Sequence, residues 1–537
     1  MTPDPMAGEL DAAWRGYLDA ASSFWARQSF PDDNGRVVVV ELLVDRPAYV
    51  LSSLHIANYL RLRSGARLVA LVDNADGVAW AAAQAFGADS RVVRDEFQAD
   101  LGPWPMLAAA QVNDLDIADL RAWVLGLSIA GLAVGDLVYD TFLRFHAKPT
   151  LEKNRDGVVA SVVDAVRHLQ LADMMLSRFD VEAYVTGHRV YAGFGALVRR
   201  LVHAGVPVFG RKPAARNFAL RRYRDVASTY RHEYTLSPTA GGRHLAGSAA
   251  QRIANEGRRW IEGRFSGKEM RADQRGLHTA FQGDKVVLGR TEMLGSLGLD
   301  PSRFTVASLS HSFSDEPHSG SWQIHDDYYQ WLLATLEKAR QLPQINWLVK
   351  AHPDNPHYGL DPVEASLVAS LNAPNIRLFP ENLSLAGLAR AADAVVTVRS
   401  SAALEFSVLG KPVVVSGECW FEGWDFATTC RTQSQYLAQL ENIAQIPTPS
   451  ERQCHDAALF AGLRYLYMLV ECAFIPPCTP AFWVPTDWPA FLDQARQLLS
   501  RLRLADDPVY RNLNVQLDRD GDHLLDFEAL EGAGHGF

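Results

Sequence analysis

Two short stretches of this chain gather hydrogen-bond donors at places where an anion can be held. In the first, Lys350, His352 and Pro353 close the apolar run Ile345–Val349, so a histidine stands at the end of a predicted strand and the proline fixes the exit of the chain. In the second, Arg399, Ser400 and Ser401 follow the run Ala394–Val398 and open a predicted helix over 402–409. Two hydroxyls, the unpaired amides and the positive end of the helix dipole suit a monophosphate or diphosphate. Glu405, one turn into that helix, is placed to accept hydrogen bonds from a ribose. Taken singly, each stretch has a plain alternative, a loop histidine in one case and a serine N-cap in the other. Both lie at strand ends of one series, however, and a nucleotide needs several convergent donors. Ser310, His311 and Asp315 follow a further strand, where a cleft between domains should open, and ligand contact is expected there too.

These residues meet only if their strands share a sheet. From Arg303 the chain alternates short β-branched runs with helical stretches through Gly417, and an open sheet of that kind binds ligands outside the carboxyl ends of its strands. An earlier series begins within Arg36–Arg46, with the run Val37–Val40, continues at Leu68–Asp73, and closes with Val181–His188 and Val206–Gly210. Two Rossmann-like α/β domains are therefore expected, with right-handed crossovers. The expected divisions are a helical extension over 1–35, a first domain over 36–213, an interdomain helical region over 214–295, a second domain over 296–445, and helices with a partly disordered tail over 446–537. Pro238–Arg243 reads as a flexible segment within the interdomain region.

With 537 residues, 48% hydrophobic and 21% charged, most of the chain should fold, and a formal net charge of -10 argues against a nucleic-acid partner. Local basic clusters at Arg199–Arg200, Arg211–Lys212 and Arg221–Arg224 read as solvated faces or as a docking place for an anionic acceptor. Five cysteines without a paired spacing imply reduced thiols, and the acidic N-terminus does not read as an export signal, so a cytoplasmic location is expected. His318 and His325 lack the compact spacing of a zinc site, Asp114 and Asp116 lie in a helical stretch, and Asp518–Glu528 departs from a calcium loop, so no metal is expected. Phosphate-loop and dinucleotide glycine motifs are missing, and no cofactor is expected.

The segments Ser308–Glu316, Tyr328–Leu332, Asn346–His357 and Ala392–Gly417, with Gly135–Arg144 in the first half, resemble the capsule and surface polysaccharide glycosyltransferases of GT-B architecture, including the bacterial Kdo transferase and sialyltransferase groups. The resemblance is strong over about 303–420 and patchy over 36–210. It implies a GT-B-like pair of domains around a cleft, a nucleotide-sugar donor, often a CMP-sugar, and a glycan or lipid-linked glycan acceptor. It also implies that His352, Ser400 and Ser401 hold the donor phosphate. Transfer further needs an acid or base near the anomeric carbon. Asp140 is the leading candidate, as base or nucleophile, with Tyr139 as its hydrogen-bonding neighbour and Asp136 as its rival. His188, at another strand end, is placed with them toward the acceptor. Any membrane contact would be peripheral, at the inner face. The architecture also leaves open a phosphopolyol transferase, a nucleotide-sugar epimerase, or a non-catalytic sugar-nucleotide-binding subunit.

Overall fold

A computed structural model describes residues 5–213, 215–239, 245, 248–267, 285–360, 362–477 and 487–532. The chain opens with helix α1 (Pro5–Trp25) and then enters strand β1 (Val37–Glu41), a β-branched run buried on both faces. Such a run belongs in the middle of a sheet covered by helices on either side. Helix α2 (Pro47–Ser64), β2 (Arg67–Val72) and β3 (Ala88–Val93) follow. A small hairpin, β4 (Ser128–Ile129) with β5 (Leu132–Ala133), leads into helix α3 (Gly135–His146) and the long helix α4 (Arg155–Arg178). The chain then returns through β6 (Val181–Thr186), a π turn over Tyr191–Gly195, helix α5 (Ala196–His203), β7 (Val208–Lys212) and β8 (Asn217–Tyr223).

The first sheet also takes in β15 (Val470–Glu471), from far along the chain, and has the order β15-β8-β7-β6-β1-β2-β3. It is parallel from β7 to β3, while β8 pairs antiparallel with both β7 and β15. The first sheet thus runs past residue 213, where the sequence placed the edge of its domain. The arginines of β8 hid it. Arg221 is buried and donates from its guanidinium to the Thr235 carbonyl at 2.9 Å, so a polar-looking segment forms an inner strand.

The second sheet is parallel throughout: β9 (Thr305–Leu309), β10 (Asn346–Lys350), β11 (Ile376–Leu378), β12 (Ala394–Thr397), β13 (Val413–Val415) and β14 (Thr428–Thr429), in the order β11-β10-β9-β12-β13-β14. Helix α6 (Ser248–Phe265) precedes this sheet, α7 (Tyr328–Arg340) follows β9, and α8 (Ser401–Val408) follows β12. The chain leaves β9 toward β10 on one side and returns as β12 on the other, which opens a crevice above the β9–β12 pair. Two α/β units with Rossmann-like parallel sheets therefore make up the fold, as expected.

After the second sheet, helix α9 (Glu451–Gly462) packs against α6 so closely that a side chain at Gly257 would run into the Ala458 carbonyl. Helix α10 (Trp488–Arg501) then crosses back to α1, and α11 (Pro508–Asp518) packs on α2. Within the described residues the tail forms helices over Pro508–Asp518 and Phe527–Glu531, where partial disorder was expected from Asp506 onward. Asp507 ties it down: fully buried, it accepts hydrogen bonds from the Tyr59 hydroxyl of α2 and from the Ala473 amide at 2.8 Å. Asp520 and Asp522 pair with Arg222 and Arg224 of β8 and its end. Pro238–Arg243 falls largely outside the described residues. Among the described residues no helix is long and apolar enough to cross a membrane.

Asp507→Ala removes one acceptor from two buried donors, each costing about 1–3 kcal/mol when orphaned. The expected loss is about 2–5 kcal/mol of unfolding free energy, read in a urea titration. Asp520→Ala, at an exposed ion pair, should change it by less than about 1 kcal/mol.

Candidate active site

The crevice above β9 and β12 is covered by the chain segment 310–327, which links β9 to α7. Groups of the first unit hold that segment in place. Asp140, on the inward face of α3 and 2% exposed, accepts from the His318 backbone amide at 3.1 Å, while its other oxygen meets the His318 Nδ1 at 2.6 Å. The Tyr139 hydroxyl donates to Asp327 at 2.6 Å, and Asp327 in turn caps α7 by accepting from the Gln330 amide at 2.8 Å. Arg189, just past β6, donates to the Ser319 carbonyl at 3.1 Å. Lys212, at the end of β7, pairs with Glu316.

Beneath this segment lies a cavity of about 160 Å³ between the two units. Lys212, His232 and Tyr234 reach it from the first sheet and the chain that follows it. His311, Asp315, Glu316 and Tyr328 reach it from the segment after β9, Arg399 and Ser400 from the end of β12, and Trp420 from beyond β13. Arg399 is only 7% exposed, yet it makes no hydrogen bond or ion pair with any described residue. Glu316 is near enough to feel this guanidinium but does not pair with it, so an anionic ligand can still take the donors of Arg399. Next to it, Ser400 caps α8 by accepting from the Ala402 amide at 3.0 Å, so donors and the positive end of the helix face the same space.

The other charges are set by burial and by each other. Burial would raise the Glu316 carboxyl, but Lys212 and Arg189 offset this and hold it down at about 2. Burial and the neighbouring Glu316 push Asp315 up to about 6. Burial, reinforced by Arg399, lowers His311 to about 4, and burial lowers His352 to about 3, so both rings are neutral near pH 7. His352 stands behind His311, stacked at 5.4 Å, and His311 packs on Tyr328 at 4.5 Å.

Of the residues singled out in the sequence, His311, Asp315, Arg399 and Ser400 therefore converge on the cavity. Ser401 is the first residue of α8. Ser310, Lys350, His352 and Pro353 do not line the cavity: the Ser310 hydroxyl donates to Glu364, and the Lys350 ammonium donates to the Ala351 carbonyl at 2.8 Å. Glu405 does not face a ribose. Its position on α8 turns it inward, 2% exposed, into an ion pair with Arg264 at 2.9 Å and a hydrogen bond from Tyr465 at 3.3 Å. His188 does not line the cavity; its ring is stacked on Tyr49 at 5.6 Å, and burial lowers its pKa to about 3. Asp140 and Tyr139 sit at the seam, and Asp136 is bound to Arg199. Lys212, His232, Tyr234, Glu316 and Trp420 were not anticipated. Lys212 carried one signal, a basic pair at a strand end; the others become neighbours only through the docking of the two units.

Residues 321–465 match the family model described as "Capsule polysaccharide biosynthesis protein", a span that begins inside the covering segment and includes Arg399 and Ser400. No curated protein matches the chain. Among solved structures, KpsC from Thermosulfurimonas dismutans, described as a beta Kdo 2,4 transferase, is similar with 14% identity, over 60% of this chain and 88% of the other, at a TM-score of 0.35. A second KpsC structure from that organism, described as a beta Kdo 2,7 transferase, shows 13% identity over 62% and 88%, with a TM-score of 0.33. MurG from Acinetobacter baumannii shows 12% identity over 88% and 100%, with a TM-score of 0.25. The family match overlaps the stretch, about 303–420, over which the sequence most strongly resembles capsule polysaccharide biosynthesis proteins.

Burial opposes a charge on His318, but Asp140 more than offsets this, and the ring's pKa lies above its ordinary value. A histidine raised in the folded state stabilises it fully below the unfolded pKa, and that contribution is lost as pH rises through the folded pKa. The wild-type chain should therefore lose unfolding free energy from about pH 6.5 upward. Asp140→Asn should flatten that slope in urea titrations at several pH values.

Proposed function

We propose that the chain transfers a sugar from a nucleotide donor, a CMP-sugar in the first instance, to a surface or capsular glycan. The observation that carries this reading is Arg399, buried and unpaired beside the N-terminus of α8 in a cavity between two α/β units. Such a site takes the donor phosphate, and its charge is best used on the leaving group, where negative charge grows as the glycosidic bond to phosphate breaks. Lys212 stands on the opposite wall, paired with Glu316. Neutral His311 turns its Nδ1 toward the Ser312 carbonyl at 3.4 Å, which leaves Nε2 as an acceptor for a ligand hydroxyl, and His352 stacks on the ring. The aromatic group of His232, Tyr234 and Trp420, with ring centroids 4.6–5.4 Å apart and tilted or edge-on to one another, gives the cavity an aromatic wall on which a base or a sugar face can pack. The preference for CMP rests on the family resemblance. Closure of the two units over the donor would exclude water and limit its hydrolysis.

Because Arg399 supplies positive charge at the leaving group, the reaction is proposed to be independent of metal, at the inner face of the membrane with at most peripheral contact. Transfer should then be unchanged by EDTA, and an activity abolished by chelation and restored by magnesium would contradict it. Isothermal titration with CMP, UMP, UDP, GDP and ADP should find selective binding of one nucleotide. Arg399→Ala should weaken it by about 10- to 100-fold, the value of one hydrogen-bonded charge. If none of the five binds to the folded protein, the donor-site reading fails.

A further inference from the structure

A carboxylate inside a phosphate site needs a reason, because two anions a few ångströms apart repel and weaken binding. The cavity holds two, Asp315 and Glu316. Glu316 is accounted for: Lys212 pairs with it, and Arg189 stands close enough to help hold it charged. Asp315 has no ion pair among the described residues. Its side chain is met only by the Tyr191 hydroxyl, at a long 3.5 Å, while its backbone amide donates to the Ser312 carbonyl at 3.1 Å. Asp140 offers no such free oxygens, since both are taken by His318.

The backbone on both sides of Asp315 is also unusual. Glu316, next in the chain, has φ of 47°, and Tyr191, facing it from the first unit, has φ of 61° at the start of the π turn. Left-handed backbone in non-glycine residues persists where the surroundings enforce it, and it clusters at functional sites. Here the two left-handed residues lie across the cleft from each other and bracket a carboxylate that has no direct ion pair among the described residues.

From this we infer that Asp315 is the catalytic carboxylate that accepts the proton of the incoming hydroxyl, rather than a ligand of the donor; the inference rests on the donor-site reading above. In the step, the acceptor O–H bond breaks and its proton passes to a carboxylate oxygen of Asp315. The acceptor oxygen forms a bond to the anomeric carbon. The bond from that carbon to the phosphate oxygen breaks, and its electron pair leaves with the phosphate, toward Arg399 and the N-terminus of α8. Protonated Asp315 then returns its proton to water. The raised pKa of Asp315, near 6, suits a base working close to neutral pH. Burial, Glu316 and Asp354 hold it up, while Lys212 from β7 and Arg144 from α3 pull it down, and Tyr191 and Tyr358 stand nearby as neutral phenols.

The test separates binding from chemistry. CMP binding is measured by calorimetry on the full chain and on Asp315→Asn, and turnover is read as CMP release from CMP-Kdo and CMP-sialic acid with water as acceptor. Asp315→Asn should bind CMP as tightly as the wild type or several-fold tighter, since a like charge is gone, while turnover falls about 100- to 10,000-fold. Asp315→Glu should keep the fold and part of the rate, with its acid limb displaced from that of the wild type near pH 6. Loss of CMP binding in an Asp315→Asn protein of unchanged melting temperature would overturn the proposal by making Asp315 a donor ligand. Wild-type turnover in that variant would overturn it equally. A wild-type chain that binds no CMP fails earlier, at the donor-site reading itself.

Discussion

The geometry of the site depends on the grip of the first unit upon residues 310–327. That segment leaves the central strand of the second sheet and would otherwise be a long, polar loop. Asp140 takes both the amide and the ring of His318, Tyr139 takes Asp327, Arg189 takes the Ser319 carbonyl, and Lys212 takes Glu316. Each contact satisfies a buried polar group, and the partner in every case comes from the other half of the chain. A separated second unit would leave these groups to water, and Asp315 and Glu316 would lose the wall that faces them.

The same seam explains why so many arginines lie inside this protein. Arg189, Arg221 and Arg264 are buried where the units and the connecting chain meet, and each has acceptors: the Thr229 and Ser319 carbonyls, the Thr235 carbonyl, and Glu405. A guanidinium can satisfy several carbonyls from one position, which suits an interface made of strand ends and loops with many unpaired backbone oxygens. A seam of this polar kind, unlike an apolar core, can open without exposing a large hydrophobic surface. Arg399 stands apart from the others because its donors face a cavity instead of a protein acceptor.

Much of the fold was legible in the chain. The β-branched runs of β1, β2, β9 and β12 are buried on both faces and could only be inner strands of parallel sheets, and Arg399 with Ser400 at the end of one of them marked an anion site. Strand β8 was not legible, because its buried arginines disguised a strand as a surface segment. Glu405 was misread for a related reason: position on a helix gives a face only when the packing of that helix is known, and α8 turns that face onto Arg264. Asp140 illustrates a third limit. Its motif announced importance, but the sequence could not show that both of its oxygens meet His318 across the seam, since that contact joins residues far apart in the chain.

By itself, then, the order of residues determined what depends on near neighbours and on periodicity: two β/α series, the strand ends that carry polar residues, and the helix terminus that presents Ser400. Such features follow from backbone geometry and from the burial of alternating apolar runs, and these act over short stretches of chain. Only the tertiary structure decided which strand ends face one another. Lys212 lies 104 residues from Glu316, and Asp140 lies 178 from His318. Whether a carboxylate is neutralised, shared or left free turns on such pairs, because electrostatic interaction depends on distance and burial in space and not on separation along the chain.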